Sequence, residues 1–141
     1  MVEQVQLDWK QVIRKGLFPS LGTAILKQYR KALVERDPRL IQRQTVHPNH
    51  LPATCEKACL IAFGGFLHNL TTVNEITNYF VDIICIIRKR LGYEAGEIIV
   101  QWWDSTDRTE AERELINMID EELERRAEIT LQVEESLRRI N

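Results

Sequence analysis

"YFVDIICIIRKRLG", residues 79–92, is the most apolar stretch of the chain, and it runs into three consecutive cations. It admits four readings: a membrane anchor, a buried strand, a core helix or a surface where something docks. The apolar core extends only from Tyr79 to Ile87 and is interrupted by Asp82, whereas a spanning helix needs about 20 apolar residues. Membrane insertion is therefore excluded. The β-branched run Val-Asp-Ile-Ile-Cys-Ile-Ile suits a strand, but the flanks decide for a helix. Thr72-Val73-Asn74-Glu75 has capping-box spacing, neither glycine nor proline occurs from Thr72 to Leu91, and Gly92 stands where a helix stops. Ile76, Phe80, Ile83, Ile87 and Leu91 fall on one helical stripe, which Val81 and Ile84 widen. Arg88, Lys89 and Arg90 occupy the last turn, where cations complement the helix dipole. The stretch reads as the central helix of a core, and Cys85 within it is expected to be buried and inert.

Working outward, "TCEKACLIAFGGFLHNL" (residues 54–70) is apolar on nearly every side and reads as a second central helix. Gly64-Gly65 weakens it by roughly 1 kcal/mol per glycine, a cost tolerated where another element must come close. "TVHPNHLPA" (residues 45–53) is the one irregular connector. Ahead of it, Asp8 and Gln11 form a capping box with a Leu7/Val12 staple. Gly16 offers a left-handed stop, a helix follows from Ser20 to about Arg36, and Asp37-Pro38 opens a short helix to about Gln44. Downstream, "EAGEIIVQWW" (residues 94–103) favours a short helix over a strand, and Asp107/Glu110 caps a final helix that meets no breaker before Ile140. The expected architecture is all-α: one domain of five to six helices bundled around residues 55–91. Residues 1–106 form a compact body and 107–141 a long C-terminal helix.

That last helix, about 34 residues, would extend roughly 50 Å, while a compact chain of 141 residues is only about 37 Å across. Part of it must overhang the body, wrap around it or lie along a partner. Ile116, Ile119, Leu123, Arg126, Thr130, Val133, Leu137 and Ile140 alternate steps of three and four, a heptad seam with two polar members. Glu121/Arg125, Glu122/Arg126, Glu134/Arg138 and Glu135/Arg139 are i,i+4 pairs in the favourable order, each contributing about 0.2–0.5 kcal/mol.

Net charge is −2, unevenly spread: residues 1–43 carry nine Lys/Arg against four Asp/Glu, and residues 107–141 carry six against eleven. The two ends either attract each other, within a subunit or between subunits, or remain separate solvated faces. Three cysteines, an odd number, and the lack of a charged-then-apolar leader point to a reducing, cytoplasmic setting without disulfides.

The sequence admits three chemistries. The first is an interaction surface formed by Leu123, Val133, Leu137 and Ile140, with Trp102 or Trp103 at its edge as an aromatic anchor. The second is nucleic-acid binding through Lys10, Arg14, Lys15, Lys27, Arg30 and Lys31, which the pI near 6.0 and the acidic helix oppose. The third is zinc, for which His47, His50, Cys55 and Cys59 supply two imidazoles and two thiols within thirteen residues. Their spacing departs from the usual finger pattern, and buried cysteines more often serve as small apolar groups. No glycine-rich phosphate loop, nucleophile–base pair or cofactor motif stands out. The leading expectation is a non-enzymatic interaction or regulatory protein without cofactor, self-associating or bound to a protein partner, with nucleic acid as the lesser alternative.

Overall fold

The computed structural model describes residues 7–48 and 53–140. Six helices account for most of them: α1 (Trp9–Val12), α2 (Thr23–Glu35), α3 (Phe63–Leu67), α4 (Val73–Leu91), α5 (Ala95–Ser105) and α6 (Arg108–Ile140). Two short strands, β1 (Val46–His47) and β2 (Lys57–Ala58), pair antiparallel with Val46 opposite Ala58. The fold is all-α apart from this ribbon.

Helix α4 organises the body, and both arms of its capping box form. The Glu75 N–H donates to Thr72 Oγ1 at 3.2 Å and the Thr72 N–H to Glu75 Oε1 at 3.2 Å. Gly92 ends the helix at φ 104°, a backbone conformation that glycine adopts without a Cβ penalty. Val73, Ile76, Ile83, Ile84 and Ile87 are buried against α3, α5 and the segment after α1. Phe80 and Leu91 complete the stripe at half burial. The opposite face, with Val81 and Cys85 one turn apart, is solvent-exposed, so Cys85 is exposed rather than buried. Its apolar sequence neighbours misplace it because each residue turns by about 100° around the axis.

Helix α3 crosses α4 at the glycine pair. A Cβ on Gly64 would collide with the Tyr79 ring, and one on Gly65 would lie 3.2 Å from the Ile76 side chain. The expected long helix over 54–70 is reduced to Phe63–Leu67, because its first half spends its backbone groups on distant partners. The N–H groups of Cys55, Glu56, Ala58 and Cys59 donate to the carbonyls of Thr71, His47, Arg39 and Thr45 at 2.7–2.8 Å. The same pairing abolishes the expected helix after Asp37-Pro38. Leu40 bridges Ala58, while the Asp37 carboxylate accepts from the Arg39 N–H at 2.9 Å and from its guanidinium at 2.8 Å.

At the N-terminus the Asp8/Gln11 capping box forms, with the Gln11 N–H 2.8 Å from Asp8 Oδ1. Gly16 is not a left-handed stop. The chain continues through a π turn (Ile13–Leu17) and a 3₁₀ turn (Phe18–Ser20). Gly16 is required for contact instead: a Cβ there would sit 3.0 Å from Leu91 and 3.2 Å from Ile87. Ser20 caps nothing; its hydroxyl donates to the Gly16 carbonyl at 2.9 Å and accepts from Arg90 at 2.8 Å. Helix α2 accordingly starts three residues later, with Gly22 as its N-cap, and ends at Arg36 in the left-handed region, φ 53°.

Helix α6 belongs partly to the body. Ala111, Glu112, Leu115, Met118 and Ile119 are buried, and the first half of the helix packs along α2. The division between body and protruding helix therefore falls near Arg126, not at residue 107. No helix among the described residues is long and apolar enough to cross a membrane.

Candidate interaction surface at the C-terminal helix

The basic N-terminal third and the acidic C-terminal helix meet within one chain. Arg30 binds Asp120 at 2.5 Å, Arg14 Glu121 at 3.2 Å, Arg36 Glu112 at 3.2 Å and Lys10 Glu114 at 3.9 Å. Three of these pairs are largely exposed and individually worth little. Arg36–Glu112 differs, because Glu112 is only 6 % exposed and also receives Arg108 at 3.6 Å. Arg108 lies 5.0 Å above the Trp103 ring, so this cluster ties the start of α6 to the end of α2 and to α5.

The other end of the contact is closed by Arg126. Its guanidinium donates to the Phe18 carbonyl at 2.9 Å, the Leu21 carbonyl at 3.0 Å, Thr23 Oγ1 at 3.2 Å and the Glu122 carboxylate at 2.6 Å. The Phe18 carbonyl also accepts from the Leu21 N–H at 3.0 Å, and Leu21 ends the 3₁₀ turn. The charged member of the predicted seam is thus an intramolecular clasp. Side-chain hydrogen bonds from Arg125, then Arg126, hold the Glu122 carboxyl below the usual carboxylate range.

Beyond Arg126 no described residue covers the helix. Every residue from Ala127 to Ile140 is exposed, an overhang of about 21 Å at the α-helical rise. Ile129, Val133, Leu137 and Ile140 lie on one side of it, with Leu137 57 % and Ile140 79 % exposed. At about 100° per residue these positions continue the face that carries Ile119, Leu123 and Arg126 against the body. Leu131 projects to the opposite side of the helix, 60 % exposed. At the root of the overhang a notch of about 440 Å³ opens between α6 and the start of α2, lined by Thr23, Lys27, Leu123, Arg126, Thr130 and Leu131.

Compared with known proteins, the chain matches no family model, no curated protein and no solved structure.

Of the predicted interaction residues, Leu123 sits half-buried at the root of the overhang, and Val133, Leu137 and Ile140 lie along it. The tryptophans are elsewhere. Trp103 is 1 % exposed, donates its indole N–H to the Ile41 carbonyl at 2.8 Å and belongs to the core. Trp102 is half-buried and stacks on Trp9, ring centroids 4.1 Å apart and planes 7° from parallel. Trp103 touches Arg108, eighteen residues before Arg126, so it lies about 27 Å along the helix from the overhang. Neither indole edges the seam. Sequence neighbours on α5 are simply too far from residues 127–140 in space.

Of the six cations of the nucleic-acid alternative, Lys10, Arg14 and Arg30 are drawn onto α6. Lys15, Lys27 and Lys31 make no ion pair among the described residues. For the zinc alternative, His50 lies outside the described residues, and no group of three or more His, Cys, Asp or Glu gathers among those described. Cys55 and Cys59 sit in the extended segment, not one turn apart on a helix. The Cys55 thiol is 3.3 Å from the Lys57 carbonyl, His47 is 4.0 Å from Glu56, and burial pushes the Cys59 thiol up to about 11.

The clasp at Arg126 is the functional feature that sequence reading missed. Its signal was available: one arginine in an apolar register position on the seam. A charged residue at such a position faces whatever the seam packs on, and here that surface presents the Phe18 and Leu21 carbonyls.

Proposed function

We propose that this protein is a non-enzymatic interaction module that self-associates through the overhanging half of α6. One observation carries the reading: the stripe Ile129, Val133, Leu137 and Ile140 is presented to solvent on a helix anchored rigidly at its root. An isolated helix of this length is marginal in water. The chain nonetheless continues an apolar face beyond the body, where a random surface would alternate polar residues. Ile129, Val133 and Leu137 are about half covered already, and Ile140 less, so full burial would contribute about 1 kcal/mol or slightly more apiece. Two copies would together gain about 8 kcal/mol, against an association cost of about 4–15 kcal/mol. Tail-to-tail contact alone therefore supports weak pairing, strengthened wherever the partner also reaches the body.

The test is mass in solution. Sedimentation of the full chain across the micromolar range should show a concentration-dependent dimer, and truncation after Arg126 should give a monomer whose melting temperature is lower and no longer rises with concentration. A full chain that stays monomeric at the highest concentration, with truncation changing neither stability nor recovery of a partner, would refute it.

A further inference from the structure

We infer that the groove between α4 and α5 binds a small aliphatic carboxylate, its head on Arg88 and its chain along Phe80, Ile84 and Val100. The inference stands apart from self-association, since no residue of α6 lines this groove.

The groove has a volume of about 280 Å³, with Phe80, Ile84 and Arg88 on one wall and the first half of α5 on the other. That is just below the usual range for ligand pockets, which suits one short chain rather than a peptide segment. Phe80, Ile84 and Arg88 are spaced by four and so form one ridge, about 12 Å long at the helical rise. Eight carbons in zigzag, with bonds of about 1.5 Å, span roughly 9 Å, so a medium-length chain fits along it. Gly96 draws the two helices together at the Arg88 end. A Cβ there would lie 3.1 Å from Ile84 Cδ1 and 3.8 Å from Arg88 Nε.

Arg88 supplies the charge. Of the three cations that end α4, Arg90 donates to the Gly16 carbonyl at 3.1 Å and to Ser20 at 2.8 Å, and Lys89 is exposed. Arg88 is half-buried, its Nε is enclosed without an acceptor, and it makes no ion pair among the described residues. Its guanidinium lies over the Tyr93 ring, 4.4 Å from the centroid. Stacking uses the face of the guanidinium and leaves the N–H donors at its terminal nitrogens free, the geometry that receives a carboxylate through two parallel hydrogen bonds. A cation drawn half out of water beside an apolar ridge is satisfied by a ligand with an anion at one end and an alkyl chain at the other. Glu97 is the one opposing charge in the lining; it is exposed and does not pair with Arg88.

Titration of the isotope-labelled full chain with sodium octanoate, kept below micelle-forming concentrations and followed by amide chemical shifts, tests the site. The expected result is saturable shifts centred on Gly96, Glu97 and Gln101. Affinity should rise about two- to fourfold per added methylene from butyrate to octanoate. Arg88→Gln should weaken octanoate binding about tenfold while keeping a parent-like spectrum, and Arg88→Lys, which retains the charge, should keep part of the affinity. Glu97→Gln should bind octanoate more tightly. Octanol or octylammonium binding as tightly as octanoate, or undiminished binding by Arg88→Gln, would overturn carboxylate recognition. Shifts that do not saturate, or that centre on Leu123 and Leu131 instead, would overturn the site. The same amides shifting with protein concentration alone would put a second copy in the groove and overturn the assignment of a small ligand.

Discussion

Replacing Arg126 with alanine tests the clasp that divides body from overhang. The guanidinium is mostly buried, with 20 % of the side chain exposed, and donates to two main-chain carbonyls, one hydroxyl and Glu122. Hydrogen bonds from a charged donor contribute about 1.5–3 kcal/mol each in favourable cases. Water entering the notch would replace part of that, leaving an expected loss of about 2–3 kcal/mol. For a chain of this size each kcal/mol lowers the melting temperature by about 3–5 °C, so the midpoint should fall by roughly 6–15 °C. Thermal unfolding followed by tryptophan fluorescence would measure it, with Arg125→Ala as control. Arg125 touches only Glu122 and is exposed, so its removal should leave the midpoint in place. If Arg126→Ala unfolds with the same midpoint as Arg125→Ala, the clasp is not what holds α6 to the body.

Acid should loosen the same junction. Because the Glu122 carboxyl titrates below its ordinary 4.5 in the folded chain, its contribution is complete above that pH and is lost as pH falls through the lower folded value. Glu122→Gln should therefore flatten part of the stability decline below pH 4.5, read as the slope of melting temperature against pH. Of the three thiols, Cys85 alone is exposed, whereas burial raises the Cys59 thiol to about 11. A thiol reagent at pH 8 should modify one cysteine rapidly in the native protein and none in Cys85→Ser, and fast modification of two would contradict the burial of Cys55 and Cys59. Gly64→Ala should destabilise by about 1–3 kcal/mol through collision with Tyr79, and Tyr79→Leu in the same chain should recover part of it. An alanine variant as stable as the parent would show that α3 and α4 are not in close contact there.

The ends of the chain were read with different success for one reason. Helix α4 and helix α6 carry their own start signals and long uninterrupted periodicity, so Thr72, Glu75, Gly92 and Asp107 mark boundaries that hold in the fold. Their hydrogen bonds are local, made within each segment. The overhang was legible too, since length against expected diameter is arithmetic on the sequence, and so were the residues of the stripe.

Residues 37–62 were not legible, because the groups that satisfy their backbone lie far along the chain. Cys55 pairs with Thr71, Ala58 with Arg39 and Cys59 with Thr45, and no local pattern announces such partners. Tertiary packing alone also decided that Gly16 serves close approach to Leu91, that Trp102 is spent on Trp9, and that Lys10, Arg14, Arg30 and Arg36 of the basic third pair with α6 within one chain. Propensity and periodicity determine which segments become helices and which face is apolar, because those depend on neighbours within a turn or two. Which apolar face is covered and which is left to solvent depends on where the other helices come to rest, and only the folded chain sets that, leaving Ile129 to Ile140 bare.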